Sequence, residues 1–217
     1  MREEKSVNLL EREAAIQSVF AELDGLVGLV SVKKYVRTFV DSISFSIGKY
    51  QSQGRDRDVH PGHFVFLGNP GTGKATVARL MGRMFHSLGV LARGHVIEVT
   101  GADLVAPYRG QSALPVQDKV REALDGILFI DEAWRLLPEP GTAMFGFEAL
   151  DELLTSMEND RARLCVIVAG CPSEIQRFLE ANPAVPRHYF SNRIVGFPDY
   201  SAEELEQIAA RTTLGVQ

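Results

Sequence analysis

The chain has 217 residues, of which 45% are hydrophobic and 24% charged, and its formal net charge at pH 7 is −5. This length suits one large domain, or one domain with part of a second, and the acidic balance argues against broad attraction to nucleic acid or anionic membranes. No apolar run approaches the roughly 20 residues needed to span a bilayer, and the first residues lack the apolar core of a signal peptide, so we expect a cytoplasmic protein.

The first third of the chain predicts two helices and a loop. Apolar residues recur among charged ones over residues 7–22, which predicts an amphipathic N-terminal helix packed on the main body. A turn leads to a second helix from Val30 to Tyr50, and residues 51–62 are polar and rich in turn-forming types, as in loops. His60 and His63 suggest a metal pair, but the neighbouring sequence offers no further ligands, so we do not predict a metal site there.

A glycine-rich loop follows an apolar run at residues 63–67 and precedes a helix that extends to about Leu88. The loop reads Gly68, Asn69, Pro70, Gly71, Thr72, Gly73, Lys74 and Ala75, with Thr76 next. A strand, such a loop with a terminal lysine, and a helix form the P-loop (Walker A) arrangement, whose backbone N–H groups surround nucleotide phosphates. Lys74 would reach the outer phosphates as a point charge. A glycine-rich turn without a ligand is the alternative.

One position departs from the P-loop pattern. Ala75 replaces the Ser or Thr whose hydroxyl binds magnesium. Water would have to fill that ligand position, or Thr76 if the loop shifts. Losing this magnesium ligand should reduce metal affinity or activity by at least 10- to 100-fold, the range typical of changes to residues that support the ligands of a metal site. We expect ATP binding to survive, since the backbone and Lys74 supply most phosphate contacts, and turnover to be weakened.

The remaining chain alternates short apolar strands with helices. Strands are predicted at residues 96–99, 127–132, 164–169 and 194–197, and helices at 114–124, around 147–157, at 173–179 and after Ser201. This alternation predicts an α/β fold, a three-layer parallel sheet of about five strands with helices on both faces. Cys165 and Cys171 flank one strand about 20 Å apart, too far for a disulfide, and we interpret them as free thiols.

Two acids end one of these strands. Asp131 fits the Walker B acid that holds magnesium through water, and Glu132 is placed to polarise the attacking water. Because ligands bind at the carboxyl ends of strands in such sheets, the P-loop and this pair are expected at one edge. The pair favours ATP hydrolysis over phosphoryl transfer to a substrate. An exposed pair of strand-end carboxylates without catalytic role is the alternative.

These motifs resemble those of AAA+ ATPases of the CbbX-like subgroup, which includes red-type Rubisco activases and stage V sporulation K proteins. The resemblance spans roughly Leu23 to Ala210. The resemblance rests on four segments: Gly68–Lys74, Ile130–Ala133, Leu26–Gly28 and Phe197–Ser201. It implies ATP and magnesium as ligands, with Val27 and Gly28 beside the adenine.

The resemblance also implies a domain organisation. Residues 1–22 would form the N-terminal helix, 23–200 the P-loop NTPase domain of AAA+ type, and 201–217 the start of a truncated helical lid without its sensor arginine.

A ring, usually hexameric, with ATP between neighbouring subunits and a protein client in its channel, is a further implication. Tyr108-Arg109-Gly110 matches the family's client-gripping pore loop, with Arg109 in place of an aliphatic residue. Tyr108 as a packed loop anchor is the alternative. Arg187 is the first candidate for the arginine finger and Arg193 the second, with ordinary surface arginines as the alternative.

Three functions follow from these observations. The first is a ring-forming ATPase that remodels a protein client, with weakened hydrolysis. The second is a hydrolysis-defective ATP-binding regulatory or structural subunit of a mixed ring, motivated by Ala75 and the altered finger segment. A nucleic-acid-dependent motor is the third, and the acidic balance and the lack of an interleaved basic and aromatic stretch count against it.

Overall fold

The computed structural model describes residues 2–52, 59–106, 113–137, 145–181, 190 and 193–214. The α-helices are α1 (Arg2–Gly25), α2 (Val30–Ser52), α3 (Lys74–Ser87), α4 (Ala113–Ala123), α5 (Phe145–Asn159), α6 (Pro172–Ala181) and α7 (Ala202–Leu214). The strands are β1 (Phe64–Leu67), β2 (Val96–Thr100), β3 (Gly126–Asp131), β4 (Leu164–Gly170) and β5 (Ile194–Gly196). Short 3-10 helices follow β2 at Gly101–Leu104 and β3 at Ala133–Leu136.

The five strands form one parallel sheet in the order β2-β3-β4-β1-β5. The three central strands are nearly continuous runs of buried apolar residues, as expected where helices cover both faces. The predicted α/β class, with about five parallel strands and helices on both faces, is confirmed. The register places Leu67 beside Gly170, so β1 and β4 end side by side at the carboxyl edge.

Alternation along the strands divides the core between the two faces of the sheet. Phe64 and Phe66 of β1 face a cluster that also contains buried residues of α1, α2 and α3, including Phe85. Val65 points to the other face, where it joins residues of α4, α5 and α6. This two-sided burial holds β1 rigidly, and the loop that follows β1 therefore starts from a fixed point.

The ends of two elements differ from the sequence-based predictions. The strand predicted at residues 127–132 ends at Asp131, because Glu132 adopts a left-handed backbone with φ of 47° that leaves the strand. The N-terminal helix runs from Arg2 to Gly25, longer than predicted, and buries Val19 and Leu23 against the core. The pore loop predicted at residues 108–110 lies outside the described residues.

His63 is a structural residue at the start of β1. Its side chain is 4% exposed, and its Nδ1 accepts a hydrogen bond from the backbone N–H of Val166, at 3.0 Å. Burial is the main cause that lowers the pKa of His63 to about 4. Within the described ranges, no three His, Cys, Asp or Glu side chains cluster closely enough to hold a metal ion.

Both thiols are free, Cys165 within β4 and Cys171 just after it. Burial raises the pKa of the Cys165 thiol far above its usual range. None of the helices, over the stretches that the structure describes, is long and apolar enough to cross a bilayer.

Candidate nucleotide-binding site

The glycine-rich loop connects β1 to α3 at the carboxyl edge of the sheet. Gly71 and Gly73 adopt left-handed backbone angles, with φ of 80° and 88°, which residues other than glycine rarely adopt. Gly68 donates its N–H to the carbonyl of Gly170 at 3.0 Å. A Cβ at Gly68 would lie 2.7 Å from Phe197, so the first loop glycine is required by close packing.

Lys74 is the first residue of α3, and its side chain is only 5% exposed. Its Nζ donates hydrogen bonds to the carbonyls of Gly68 and Asn69, each at 2.9 Å. Thr72 Oγ1 donates to the same Asn69 carbonyl at 2.7 Å. The loop thus curls around its own ammonium group, whose third N–H remains available for a phosphate oxygen.

Ala75 and Thr76 occupy different sides of α3. Ala75 is half-buried and packs against the core, whereas Thr76 is exposed. The helix is already regular here, because Val77 donates its N–H to the Gly73 carbonyl at 3.0 Å. Successive helical residues project about 100° apart, so the Thr76 hydroxyl does not take the direction of the Ala75 side chain.

The acidic pair lies at the end of β3, the second strand along from β1: Asp131 is the last residue of the strand and Glu132 follows it. Asp131 Oδ1 accepts the backbone N–H of Glu132 at 2.9 Å, and both side chains are half-buried. β4 lies between β1 and β3, so the P-loop and the pair flank its end. Neighbouring strands are about 4.8 Å apart, which places β1 and β3 within about 10 Å of each other, a span that a nucleotide's phosphates can bridge.

Cys171 marks the middle of this edge. Burial and the Glu174 carboxylate raise the pKa of its thiol; the Lys74 ammonium acts against that rise, and the Asp131 carboxylate adds to it. The charges of Lys74 and Asp131 therefore act on one side chain at the end of β4. The structure thus brings together the two charged groups that the sequence assigned to phosphate and magnesium.

The connection between β5 and α7 lies along the loop. Asn69 Nδ2 donates to both carboxylate oxygens of Asp199 at 2.9 Å, and the Tyr200 hydroxyl donates to the Thr72 carbonyl at 3.3 Å. Burial is the first cause that raises the pKa of Tyr200. Asp199 and Tyr200 belong to the closing motif of the resemblance, but neither was predicted to contact the loop.

Val27 and Gly28 lie in the turn between α1 and α2, near the end of the loop. Gly28 has φ of 60°, and a Cβ there would clash with a carboxylate oxygen of Glu204 on α7. The next residue, Leu29, has a methyl carbon 3.4 Å from the Cβ position of Gly73. The turn, the end of the P-loop and the start of α7 therefore meet at one place.

The residues predicted for the ring assembly are described only in part. Tyr108, Arg109, Gly110 and Arg187 lie outside the described residues. Arg193, the second finger candidate, donates to the Pro61 carbonyl at 2.6 Å and stacks over Phe39 and Phe64, at 5.2 and 5.4 Å from the ring centroids. Both its charge and its plane are thus used within its own subunit, at the amino edge of the sheet.

Comparison with known proteins gives this geometry a family. A family model described as the ATPase family associated with various cellular activities (AAA) matches residues 64–193, a span that includes the P-loop and the acidic pair. This chain belongs to the AAA family. The match covers every strand of the sheet except β5.

The relatives of this AAA protein agree with the subgroup that the motifs resemble. It is 42% identical over 201 residues to the ESX-1 secretion system protein EccA1 of Mycobacterium tuberculosis (strain ATCC 25618 / H37Rv), covering 91% of this chain and 34% of the relative. It is 38% identical over 200 residues to Stage V sporulation protein K of Bacillus subtilis (92% and 61%) and 40% identical over 202 residues to protein CfxQ of Xanthobacter flavus (91% and 62%). The prediction of a CbbX- and sporulation-protein-K-related AAA+ ATPase is confirmed.

This AAA protein spans only part of each relative, from 34% to 62% of the lengths of those named. Among solved structures, it is similar to the FIGL-1 AAA domain crystallised in complex with ADP, with a TM-score of 0.59 and 20% identity. The similarity covers 87% of this chain and 59% of that one, and it confirms the AAA+ fold.

Proposed function

We propose that this AAA protein binds Mg²⁺-ATP at the P-loop and hydrolyses it, at a reduced rate, to remodel a protein client as part of a ring. The observation that carries the proposal is the buried Lys74 ammonium inside a glycine loop, with only β4 between that loop and the end of β3, where Asp131 and Glu132 lie. Among the described residues this buried amine is held by two carbonyl oxygens, and negatively charged phosphate oxygens would be stronger acceptors.

ATP binding rests on the loop and on Lys74. The loop N–H groups and the positive end of α3 favour the phosphates, and Lys74 exchanges carbonyls for phosphate oxygens. Asn69 stays tied to Asp199 through its side chain, so its backbone carbonyl can release Lys74 without the loop losing its place. The turn at Val27 and Gly28, which meets the loop's end, is the expected place for the adenine.

The acidic pair would supply the chemistry of hydrolysis. Magnesium, when bound, neutralises charge on the phosphate oxygens. Asp131 fits this ion because its half-buried carboxylate lies at the end of β3, with only β4 between it and the P-loop, whereas Ala75 offers no ligand. Glu132 would accept the proton of the attacking water. The chain therefore keeps both acids of an ATPase and lacks one magnesium ligand, which supports slow turnover.

Ala75 also favours a second function. A subunit that binds ATP without splitting it would keep the loop and Lys74 and could lose the magnesium hydroxyl, as this chain has. Such a protein would serve as a regulatory or structural subunit in a mixed ring. The two functions differ only in turnover.

Steady-state ATP hydrolysis separates the two functions. The wild-type protein is expected to release phosphate faster than Glu132→Gln, which keeps the loop and removes the base. Binding of a fluorescent ATP analogue should be equal in the two proteins, which shows that the variant is folded. Wild-type turnover equal to that of Glu132→Gln would contradict the ATPase and support the regulatory subunit.

Family membership supports the ring, and the predicted pore loop supports the client. The names of the relatives span a secretion system and sporulation, which favours a shared ATP-driven mechanism over a shared client. We propose a hexamer in the cytoplasm, with Tyr108, Arg109 and Gly110 toward a protein client, Arg187 toward a neighbour's ATP, and neither nucleic acid nor membrane as partner. When ATP is added to the Glu132→Gln variant, we expect its mass, measured by light scattering, to rise to that of a ring.

A further inference from the structure

Glu132 is engaged by an arginine of its own segment. Glu132 Oε2 forms an ion pair with Nε of Arg135 at 2.8 Å. Glu132 is the N-cap residue of the 3-10 helix Ala133–Leu136, and Arg135 donates its backbone N–H to the Glu132 carbonyl at 2.9 Å, a turn that brings the two side chains together. No sequence motif required an arginine at this position.

The backbone that carries the pair is fixed. Ala133 and Leu136 are fully buried, and the left-handed backbone of Glu132 is a conformation that non-glycine residues adopt at a cost. On one side, a Cβ at Gly101 would lie 2.7 Å from the Glu132 carbonyl and 3.2 Å from the Arg135 Cβ. The Glu132 carboxylate can therefore change its partner only by side-chain rotation.

Arg135 has a second contact that keeps it near Glu132. Its guanidinium lies 5.0 Å from the ring centroid of Trp134, a cation–π distance. The two charged side chains are 44% and 45% exposed, so water and salt weaken the pair. Glu132 can therefore leave Arg135, but Arg135 competes with any other ligand of the Glu132 carboxylate.

We propose that Arg135 is a positioning residue that holds the Glu132 carboxylate in a resting place and so restrains ATP hydrolysis. The inference rests on the proposed role of Glu132. In hydrolysis, the water oxygen bonds to the γ-phosphorus, the bond to the bridging oxygen breaks with its electron pair left on ADP, and Glu132 takes the water proton. Before this step the carboxylate must exchange the guanidinium for the water, and Arg135 opposes that exchange.

The test compares two arginines that make the same kind of pair. Arg135→Gln removes the charge beside Glu132. Arg121→Gln is the matched control, because Arg121 pairs with Asp118 three residues away at 3.0 Å, on the exposed face of α4. Arg135→Lys keeps the charge without the Nε contact. For all proteins, kcat and KM for ATP are measured at low and high salt, with Glu132→Gln as the background.

Arg135→Gln is expected to raise kcat about two- to five-fold with KM unchanged, as suits a weak exposed pair. Arg135→Lys should give a smaller increase and Arg121→Gln none. Salt should raise the kcat of the wild type and leave that of Arg135→Gln unchanged, which a merely structural arginine would not do.

The outcomes separate the restraint from the proposed function. If the wild type turns over and Arg135→Gln is equal or slower, the restraint is wrong and the ATPase stands. If only Arg135→Gln exceeds the Glu132→Gln background, the restraint is confirmed and strong. If neither exceeds that background although both bind ATP, the ATPase is wrong and the restraint falls with it.

Discussion

Ala75 is the residue at which this AAA protein departs most from the chemistry of its loop. Its half-buried side chain packs against the core at the position where a hydroxyl would face magnesium, and Thr76 next to it projects to solvent. The glycine loop and the buried Lys74 beside it keep the P-loop arrangement. The change therefore affects the ion more than the nucleotide.

Restoring the hydroxyl is expected to restore turnover. Ala75→Thr should raise magnesium-dependent ATP hydrolysis about tenfold or more, because a direct ion ligand is regained. Ala75→Val is the matched control, since valine has the shape of threonine without its oxygen and should give no increase. Equal rates in the two variants would show that the missing hydroxyl does not limit this site. Phosphate release at saturating ATP measures the effect.

The positions of candidate site residues were predictable where a motif joins residue type to spacing. Lys74, Asp131 and Glu132 were identified this way, and the structure places them at one edge of the sheet. The contacts of Asp199 and Arg135 were not predicted. Asp199 is 130 positions from Asn69, and Arg135 meets Glu132 only because a 3-10 helix follows the strand. Such contacts depend on tertiary packing and local backbone, which spacing alone does not encode.

At the scale of elements, β4 is the strand that lies between the two halves of the candidate site. It separates β1 from β3, so the glycine loop and the acidic pair lie on either side of its end. The alternation of strands and helices predicted a parallel sheet. The order of the strands was beyond prediction from the residues, because all the central strands are similar buried apolar runs and their neighbours are chosen by helix packing.

The hydrogen bond of His63 between β1 and β4 predicts that the stability of the protein depends on pH. His63 accepts the Val166 N–H and has a folded pKa of about 4, against about 6.5 when unfolded. Between these values the unfolded chain binds a proton that the folded chain does not, so the free energy of unfolding decreases as pH falls. The loss should be about 2 kcal/mol between pH 7.5 and pH 5, at 1.4 kcal/mol per pKa unit.

Urea unfolding at the two pH values measures this loss. His63→Asn should reduce the difference between them, although the variant is less stable at pH 7.5 because the ring's packing is lost. His86→Asn, at an exposed position on α3, is the control and should keep the full difference. If His63→Asn loses as much stability as the wild type between the two pH values, groups other than His63 cause the pH dependence.

At the scale of the whole molecule, the segments around the loop come from distant parts of the chain. The turn at Gly28 meets Glu204 of α7, Arg211 of α7 donates to the Gly25 carbonyl, and Asp199 binds Asn69. A nucleotide at the loop would therefore touch the turn before α2 and the start of α7 as well as the sheet.

The central claim is that the glycine loop with Lys74 binds ATP, and calorimetric titration of ATP tests it most directly. The wild type is compared with Lys74→Ala and with Arg79→Ala, which removes an exposed charge from the same helix. We predict saturable binding by the wild type, at least tenfold weaker binding by Lys74→Ala, as expected for a lost charge-assisted contact, and unchanged binding by Arg79→Ala. No binding by the wild type, or equal affinity in Lys74→Ala, would contradict the claim.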